Sequence, residues 1–256
     1  MIPRRTFLAA SAAAITFLPY AARAAAHAGD SFTTTNGEIE VFPVDHASFV
    51  MTTPEGTIYN DPIGDPAMYT DFPAADLILV THEHGDHYNA ETLAALMGDA
   101  TILVVNPAVA EMLPEDLKAR ATVLANGEQA MAGNVSIRAI PAYNTTEERK
   151  NFHPEGRDNG YVLTIDGFHV YISGDTEGTR EMMALTDIDL AFVCMNLPFT
   201  MDAEAAAEAV AAFKPTYVYP YHYRGRDGGT QDPEVFAAAV GDATTVKMGN
   251  WYHKEG

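Results

Sequence analysis

Apolar and polar positions change rhythm along this chain in a way that predicts two similar halves. Short β-rich segments come first, at Glu38–Val44, Ser48–Thr52 and Thr57–Asn60, separated by turn-forming Pro, Gly and Asp. Leu77-Ile-Leu-Val-Thr81 is continuously apolar up to its threonine, which predicts a strand covered on both faces. From Asn89 the period becomes helical: Leu93, Leu96 and Met97 share a face behind an asparagine cap. Thr101–Val105 reads as the next strand, and Ala108–Ala119 as a helix that Pro114 bends or interrupts. The second half repeats the scheme with strands at Val135–Ile140, Tyr161–Ile165 and Phe168–Ser173, the last two joined by the hairpin signal Asp166-Gly167. Strand Leu190–Cys194, helix Ala203–Phe213, strand Tyr217–Tyr219 and helix Pro233–Val240 follow. Strand meanders leading twice into strand–helix alternation predict an α/β fold with two sheets and helices outside.

The N-terminus does not belong to that pattern. Residues 1–24 hold no acid, begin with Arg4 and Arg5, run apolar from Phe7 to Leu18 and end in Ala22-Arg23-Ala24. Those are the parts of a secretory signal, and Pro-Arg-Arg-Thr-Phe-Leu resembles a twin-arginine export signal. The alternative is an uncleaved N-terminal helix. The expectation is a bacterial periplasmic or secreted protein whose residues 25–256 form a single domain, without repeats at solenoid periods or long linkers. No later apolar stretch approaches membrane-spanning length.

Loss of residues 1–24 takes three arginines and moves the formal charge from −20 to −23. Such a surface repels phosphate backbones and anionic lipid, so nucleic-acid partners and stable membrane association are disfavoured, while oligomeric state is left open. Cys194 is the single cysteine, which excludes an intrachain disulfide; its place in Leu-Ala-Phe-Val-Cys points to a buried thiol.

The chemistry concentrates in Thr81-His-Glu-His-Gly-Asp-His87, where a buried strand ends. In extended backbone, His82 and His84 share a face and can converge on one ion. Gly85 is expected to allow a sharp turn that brings Asp86 and His87 beside them. Imidazoles with a carboxylate suit zinc or another borderline divalent metal.

His82-x-His84-x-Asp86-His87 resembles the signature of the metallo-β-lactamase superfamily. Ser173-Gly-Asp-Thr176 is similar to its metal-bridging aspartate motif, Pro220-Tyr-His-Tyr223 to its last histidine motif, and Asn60-Asp-Pro62 to its early Asp-Pro. The Pro-x-His-Tyr form looks most like the ascorbate-6-phosphate lactonase-like and phosphodiesterase-like branch. The resemblance implies an αββα sandwich of two mixed β-sheets flanked by helices, with the site at one edge. It implies two divalent ions, zinc first, with manganese or iron(II) as alternatives. His82 and His84 would hold the first ion; Asp86, His87 and His222 would hold the second. Asp175 would bridge them, and Asp61 would support the metal loop. Asp86 would also serve catalysis by handling the proton of an activated water.

One motif departs from the family. Where relatives carry Pro-Ala-x-His, this chain has Pro141-Ala-Tyr-Asn144. His153, in a flexible, turn-rich insertion, is expected to replace the missing ligand, with Asn144 lining the site; the alternative leaves His153 a plain turn residue. His46 matches an early histidine of this branch and is weighed evenly between structural and site-lining roles. Tyr143, Tyr221, Tyr223 and Arg224 flank motif positions as candidate substrate contacts. His169 reads as a surface or structural strand residue, and no role is expected for His27 or His253. The functional expectation is an exported metal-dependent hydrolase of a small ester, lactone or phosphodiester. Its competitors are a β-lactamase-type amide hydrolase and a non-enzymatic metal-binding periplasmic protein. Asp175 standing where many lactamases place a zinc-binding cysteine weighs against the first competitor.

Overall fold

A computed structural model describes residues 29–224 and 231–252. Residues 1–24, expected to direct export, and His27 and His253 lie outside the described residues.

Each half of the chain folds into one seven-stranded sheet whose strands lie side by side in sequence order. The first sheet holds β1 (Asp30–Thr33), β2 (Glu38–Asp45), β3 (Ser48–Thr53), β4 (Gly56–Asn60), β5 (Leu77–Leu79), β6 (Ile102–Val105) and β7 (Ala121–Val123). The second holds β8 (Gln129–Ala132), β9 (Val135–Ala142), β10 (Asp158–Ile165), β11 (Phe168–Ile172), β12 (Leu190–Cys194), β13 (Tyr217–Tyr221) and β14 (Thr245–Val246). Strands β1 to β4 pair antiparallel, then β4 to β7 run parallel. The second sheet repeats this, antiparallel from β8 to β11 and parallel from β11 to β14.

Parallel strands need crossovers, and helices supply them. They are α1 (Ala90–Leu96), α2 (Pro107–Met112), α3 (Glu115–Lys118), α4 (Arg180–Met183), α5 (Ala203–Phe213) and α6 (Pro233–Val240). Asn89 caps α1 by accepting the Thr92 N–H, and Pro114 splits the expected single helix into α2 and α3. The unbroken apolar run of β5 has its explanation here. Leu77 and Leu79 face the core between the sheets, while Ile78 and Val80 face a second core with Leu93, Val109 and Leu117 beneath α1 to α3. The inter-sheet core stacks Phe49 on Phe192, ring centroids 4.1 Å apart, with Tyr219 and Trp251 against them. The fold is thus the expected sandwich of two mixed sheets with helices outside. Among the described residues, no helix is long and apolar enough to cross a membrane.

Candidate metal centre

Open sheets place ligand sites beyond the carboxyl ends of parallel strands, and this protein does so from both sheets at once. Asp61 follows β4, the His82–His87 loop follows β5, Asp175 follows β11, Asn196 follows β12 and His222 follows β13. Gly174 lets the two sides meet: its φ is +61°, and a Cβ there would stand 2.8 Å from the Asn159 carbonyl and 3.2 Å from Thr81 Cβ. Glycine alone satisfies both demands, which accounts for the Ser-Gly-Asp order. His46, Asp61 and His222 also hold positive φ, at 53°, 41° and 50°. Non-glycine residues adopt that region at a cost of about 1–3 kcal/mol, and such strain gathers at functional sites.

Three donor groups result, the third being His46, Asp86 and His222. His82, His84 and His153 form one, with His82 Nε2 3.1 Å from His84 Nδ1; His82, His87 and Asp175 form a second that overlaps it. Asp175 lies between the imidazoles: Oδ2 is 3.4 Å from His153 Nε2, and Oδ1 is 3.4 Å from His87 Nε2 and 3.6 Å from His222 Nε2. Asp86 Oδ2 stands 3.4 Å from His222 Nε2 and 3.5 Å from His46 Nε2.

The chemistry of these atoms fits a cation. His87 Nε2, His222 Nε2 and Asp175 Oδ1 are buried without a hydrogen-bond partner, yet they point at one another. Buried polar atoms are rarely left so, and a divalent ion among them would satisfy all three. The far ring nitrogens are arranged to match. His87 Nδ1 donates to Asp61 Oδ2 at 2.9 Å, and His153 Nδ1 to Asp158 Oδ2 at 3.0 Å. His82 Nδ1 meets Thr81 Oγ1 at 3.0 Å; that hydroxyl already donates to Asp61, so it accepts here. His222 Nδ1 lies 2.9 Å from Asn196 Nδ2, while Asn196 Oδ1 has no hydrogen-bond partner. A half-turn of that amide gives His222 an acceptor. These four rings then present the Nε2 lone pair inward, the state a metal requires.

Electrostatics agree. Burial and then the neighbouring His87 and His153 push His82 well below its ordinary value, leaving a neutral ring. Burial works against a charged His87, but Asp175 and Asp61 outweigh it and raise its pKa to about 9. Burial also opposes ionisation of Asp175, yet His222, His87 and His153 hold it below the usual carboxylate range.

Several expectations need revision. His153 is not in a flexible insertion: it is 1% exposed, and its carbonyl accepts the Asn144 N–H at 2.8 Å. Asn144 does not line the cavity; its Nδ2 donates to the carbonyls of Arg149 (3.0 Å) and Phe199 (2.7 Å), pinning the His153 loop. Gly85 needs no special backbone, because its φ is not positive and a Cβ there would meet nothing; its bare surface instead leaves the cavity mouth open. Tyr143 turns away to Glu181, Tyr221 is buried in the core, and Tyr223 packs on Tyr252, so none of the three lines the cavity. His46 and Arg224 do line it, and Asp61 supports the loop by accepting the Thr81 N–H (2.7 Å) and Thr81 hydroxyl (2.8 Å). His169 is a strand residue bonded to the Asp187 carbonyl, and Cys194 is buried.

Sequence reasoning missed Asp158, Asn196, Tyr252 and the wall residues Phe152 and Phe199, whose rings meet edge to face at 5.1 Å. The signal for Asp158 was available: an acid five residues after a candidate ligand histidine, at a strand start.

Comparison with known proteins agrees with this geometry. The sequence model of the β-lactamase superfamily domain matches residues 40–222. A UPF0173 metal-dependent hydrolase of Pyrococcus furiosus is 32% identical over 220 residues, spanning 81% of this chain and 95% of that one. Its counterpart in Anaeromyxobacter dehalogenans is 30% identical over 232 residues, 83% and 84% of the two chains. A Parabacteroides distasonis crystal structure assigned as a metal-dependent hydrolase superposes with TM-score 0.77 at 40% identity, covering 87% of this chain and 98% of that one. This chain belongs to the metallo-β-lactamase superfamily and groups there with metal-dependent hydrolases.

Proposed function

We propose that the chain is a binuclear zinc hydrolase of small esters, lactones or phosphodiesters that acts in the periplasm. In this reading His82, His84 and His153 hold one ion, Asp86, His87 and His222 hold the other, and Asp175 spans both. The observation that carries it is the division of Asp175, one oxygen facing His153 and the other facing His87 and His222. When bound, such a pair of cations lowers the pKa of water and polarises a carbonyl or phosphoryl oxygen.

The chain's own residues supply the rest. Asp86 is the half-exposed carboxylate of the cluster, able to take a proton from water and return it to the leaving group. Phe152 and Phe199 wall one side of a cavity of about 650 Å³, with Arg224 also lining it. That size suits a small molecule, and an overall charge of −20 disfavours nucleic acid.

Elemental analysis should find about two zinc ions per chain after loading. A screen of metal-replete protein against lactones, phosphodiesters, thioesters and β-lactams should find turnover that Asp86→Ala abolishes. Chelation should lower the melting temperature, and added zinc should restore it. Failure to bind metal, or turnover that survives Asp86→Ala, would overturn the reading. Export is tested separately: Lys at positions 4 and 5 should hold the precursor in the cytoplasm, and unchanged periplasmic levels would refute the twin-arginine route.

A further inference from the structure

His46 stands among the ligands, and its polarity is opposite to theirs. It lies in the turn between β2 and β3, joins Asp86 and His222 in a third donor group, and its ring centroid is 3.8 Å from that of His222. On position alone it would pass for one more ligand. Its hydrogen bonds assign it otherwise.

The deciding atom is the Tyr252 hydroxyl. Tyr252 Oη accepts the backbone N–H groups of Tyr223 and Arg224, each at 3.1 Å, and lies 2.9 Å from His46 Nδ1. A phenol oxygen has two lone pairs and one proton. Both lone pairs are taken, so toward His46 the hydroxyl can only donate. Nδ1 is then the acceptor, and the ring proton sits on Nε2. A ligand role would need Nε2 bare and Nδ1–H donating to the same oxygen as a third donor, beyond its capacity.

We propose that His46 is a positioning residue rather than a metal ligand: Tyr252 locks it in the Nε2–H form, and it donates to Asp86 Oδ2. This rests on the ligand role proposed above for Asp86. His46 Nε2 and His222 Nε2 approach that oxygen at 3.5 and 3.4 Å. In the ligand state proposed for it, with the Asn196 amide turned so that Oδ1 accepts Nδ1–H, His222 has no Nε2 proton to give, and His46 is the donor. Asp86 needs such a tether. Its side chain is 47% exposed, and it follows Gly85, whose Cα faces open space. His46 itself is fixed through the backbone, its N–H donating to the Trp251 carbonyl at 3.3 Å and its carbonyl accepting the His222 N–H at 3.2 Å. The C-terminal segment thereby sets the tautomer of a ring in the metal centre.

Long-range proton–nitrogen correlation spectra of the ¹⁵N-labelled, zinc-loaded full chain test the assignment, with His46 identified by its loss in His46→Gln. The expected result is an Nε2–H tautomer for His46 beside Nδ1–H tautomers for His82, His87, His153 and His222, with Tyr252→Phe releasing His46 to a mixture. Zinc per chain should be unchanged in His46→Ala. With bis(p-nitrophenyl) phosphate as probe, His46→Ala should lower kcat about 10- to 100-fold with KM little changed. His46→Gln, whose amide N–H reaches the same place, should recover most of it. An Nδ1–H tautomer at His46, or loss of one zinc in His46→Ala, would make it a ligand and overturn the proposal. Equal defects in the Ala and Gln variants with zinc retained would reduce it to packing. If the wild type does not cleave the diester, the phosphodiester reading fails, and the spectra and zinc counts still decide the role of His46.

Discussion

Substituting Asp61 separates stability from metal affinity, because this buried carboxylate serves both. It accepts the Thr81 N–H at 2.7 Å, the Thr81 hydroxyl at 2.8 Å and His87 Nδ1–H at 2.9 Å. Asp61→Ala strands those donors where no water reaches, at about 1–3 kcal/mol for each unsatisfied group. Removing one partner of a buried charged pair costs about 3–5 kcal/mol, a large share of the 5–15 kcal/mol or so that holds a domain together. Asp61→Asn acts differently. Its amide oxygen still accepts the Thr81 N–H, but its NH₂ takes the place of Oδ2 facing the Thr81 hydroxyl and His87 Nδ1, both of which must then become acceptors. The His87 proton moves to Nε2, the atom proposed to face the second ion. Metal affinity should fall about 10- to 100-fold while most of the melting temperature survives. Melting curves with and without chelator, beside zinc titration against a fluorescent competitor, measure the two effects. An Asp61→Asn protein that binds zinc as tightly as wild type would refute the tautomer reasoning.

His153→Ala should lose metal and activity together, whereas Asn144→Ala should keep its metal but melt lower, because two carbonyls lose the Nδ2 that pins them; zinc analysis and calorimetry check both. Burial opposes ionisation of Glu177, but bonds from Thr146, Arg149 and Thr145 lower its pKa from 4.5 to about 2. The stabilisation, on the order of 3 kcal/mol, is therefore complete above pH 4.5 and lost as pH falls through about 2; Glu177→Gln should flatten that part of the acid-unfolding curve. Burial, with the nearby Asp175, pushes the Cys194 thiol up to about 12. It should ignore Ellman's reagent in the native protein at pH 8 and react at once in denaturant; native labelling would contradict its burial.

The sandwich was legible because the run at β5 is apolar on both faces, and alternation with turn signals marks β2 to β4 and β9 to β11. Edge strands β1, β7, β8 and β14 were not, since two to four residues carry too little pattern to register. At the site, the loop ligands announced themselves by spacing. Asn196 and Tyr252 did not, because they reach the cluster from separate segments, and pairing across such distances leaves no periodic trace. Tyr143, Tyr221 and Tyr223 show the converse: adjacency to a motif in sequence says little about which way a ring points.

The proposed ligands are shared between the two sheets, His82 to His87 on one, His153, Asp175 and His222 on the other. Metal affinity is therefore a gauge of how the sheets are registered, read through the Phe49–Phe192 stack and its neighbours. Thermodynamic reciprocity makes the traffic two-way. A volume change deep in that seam should alter zinc retention without touching a ligand, and a bound ion should slow amide exchange in strands on both sides. Selection on cofactor retention would then act on residues that no view of the active site includes.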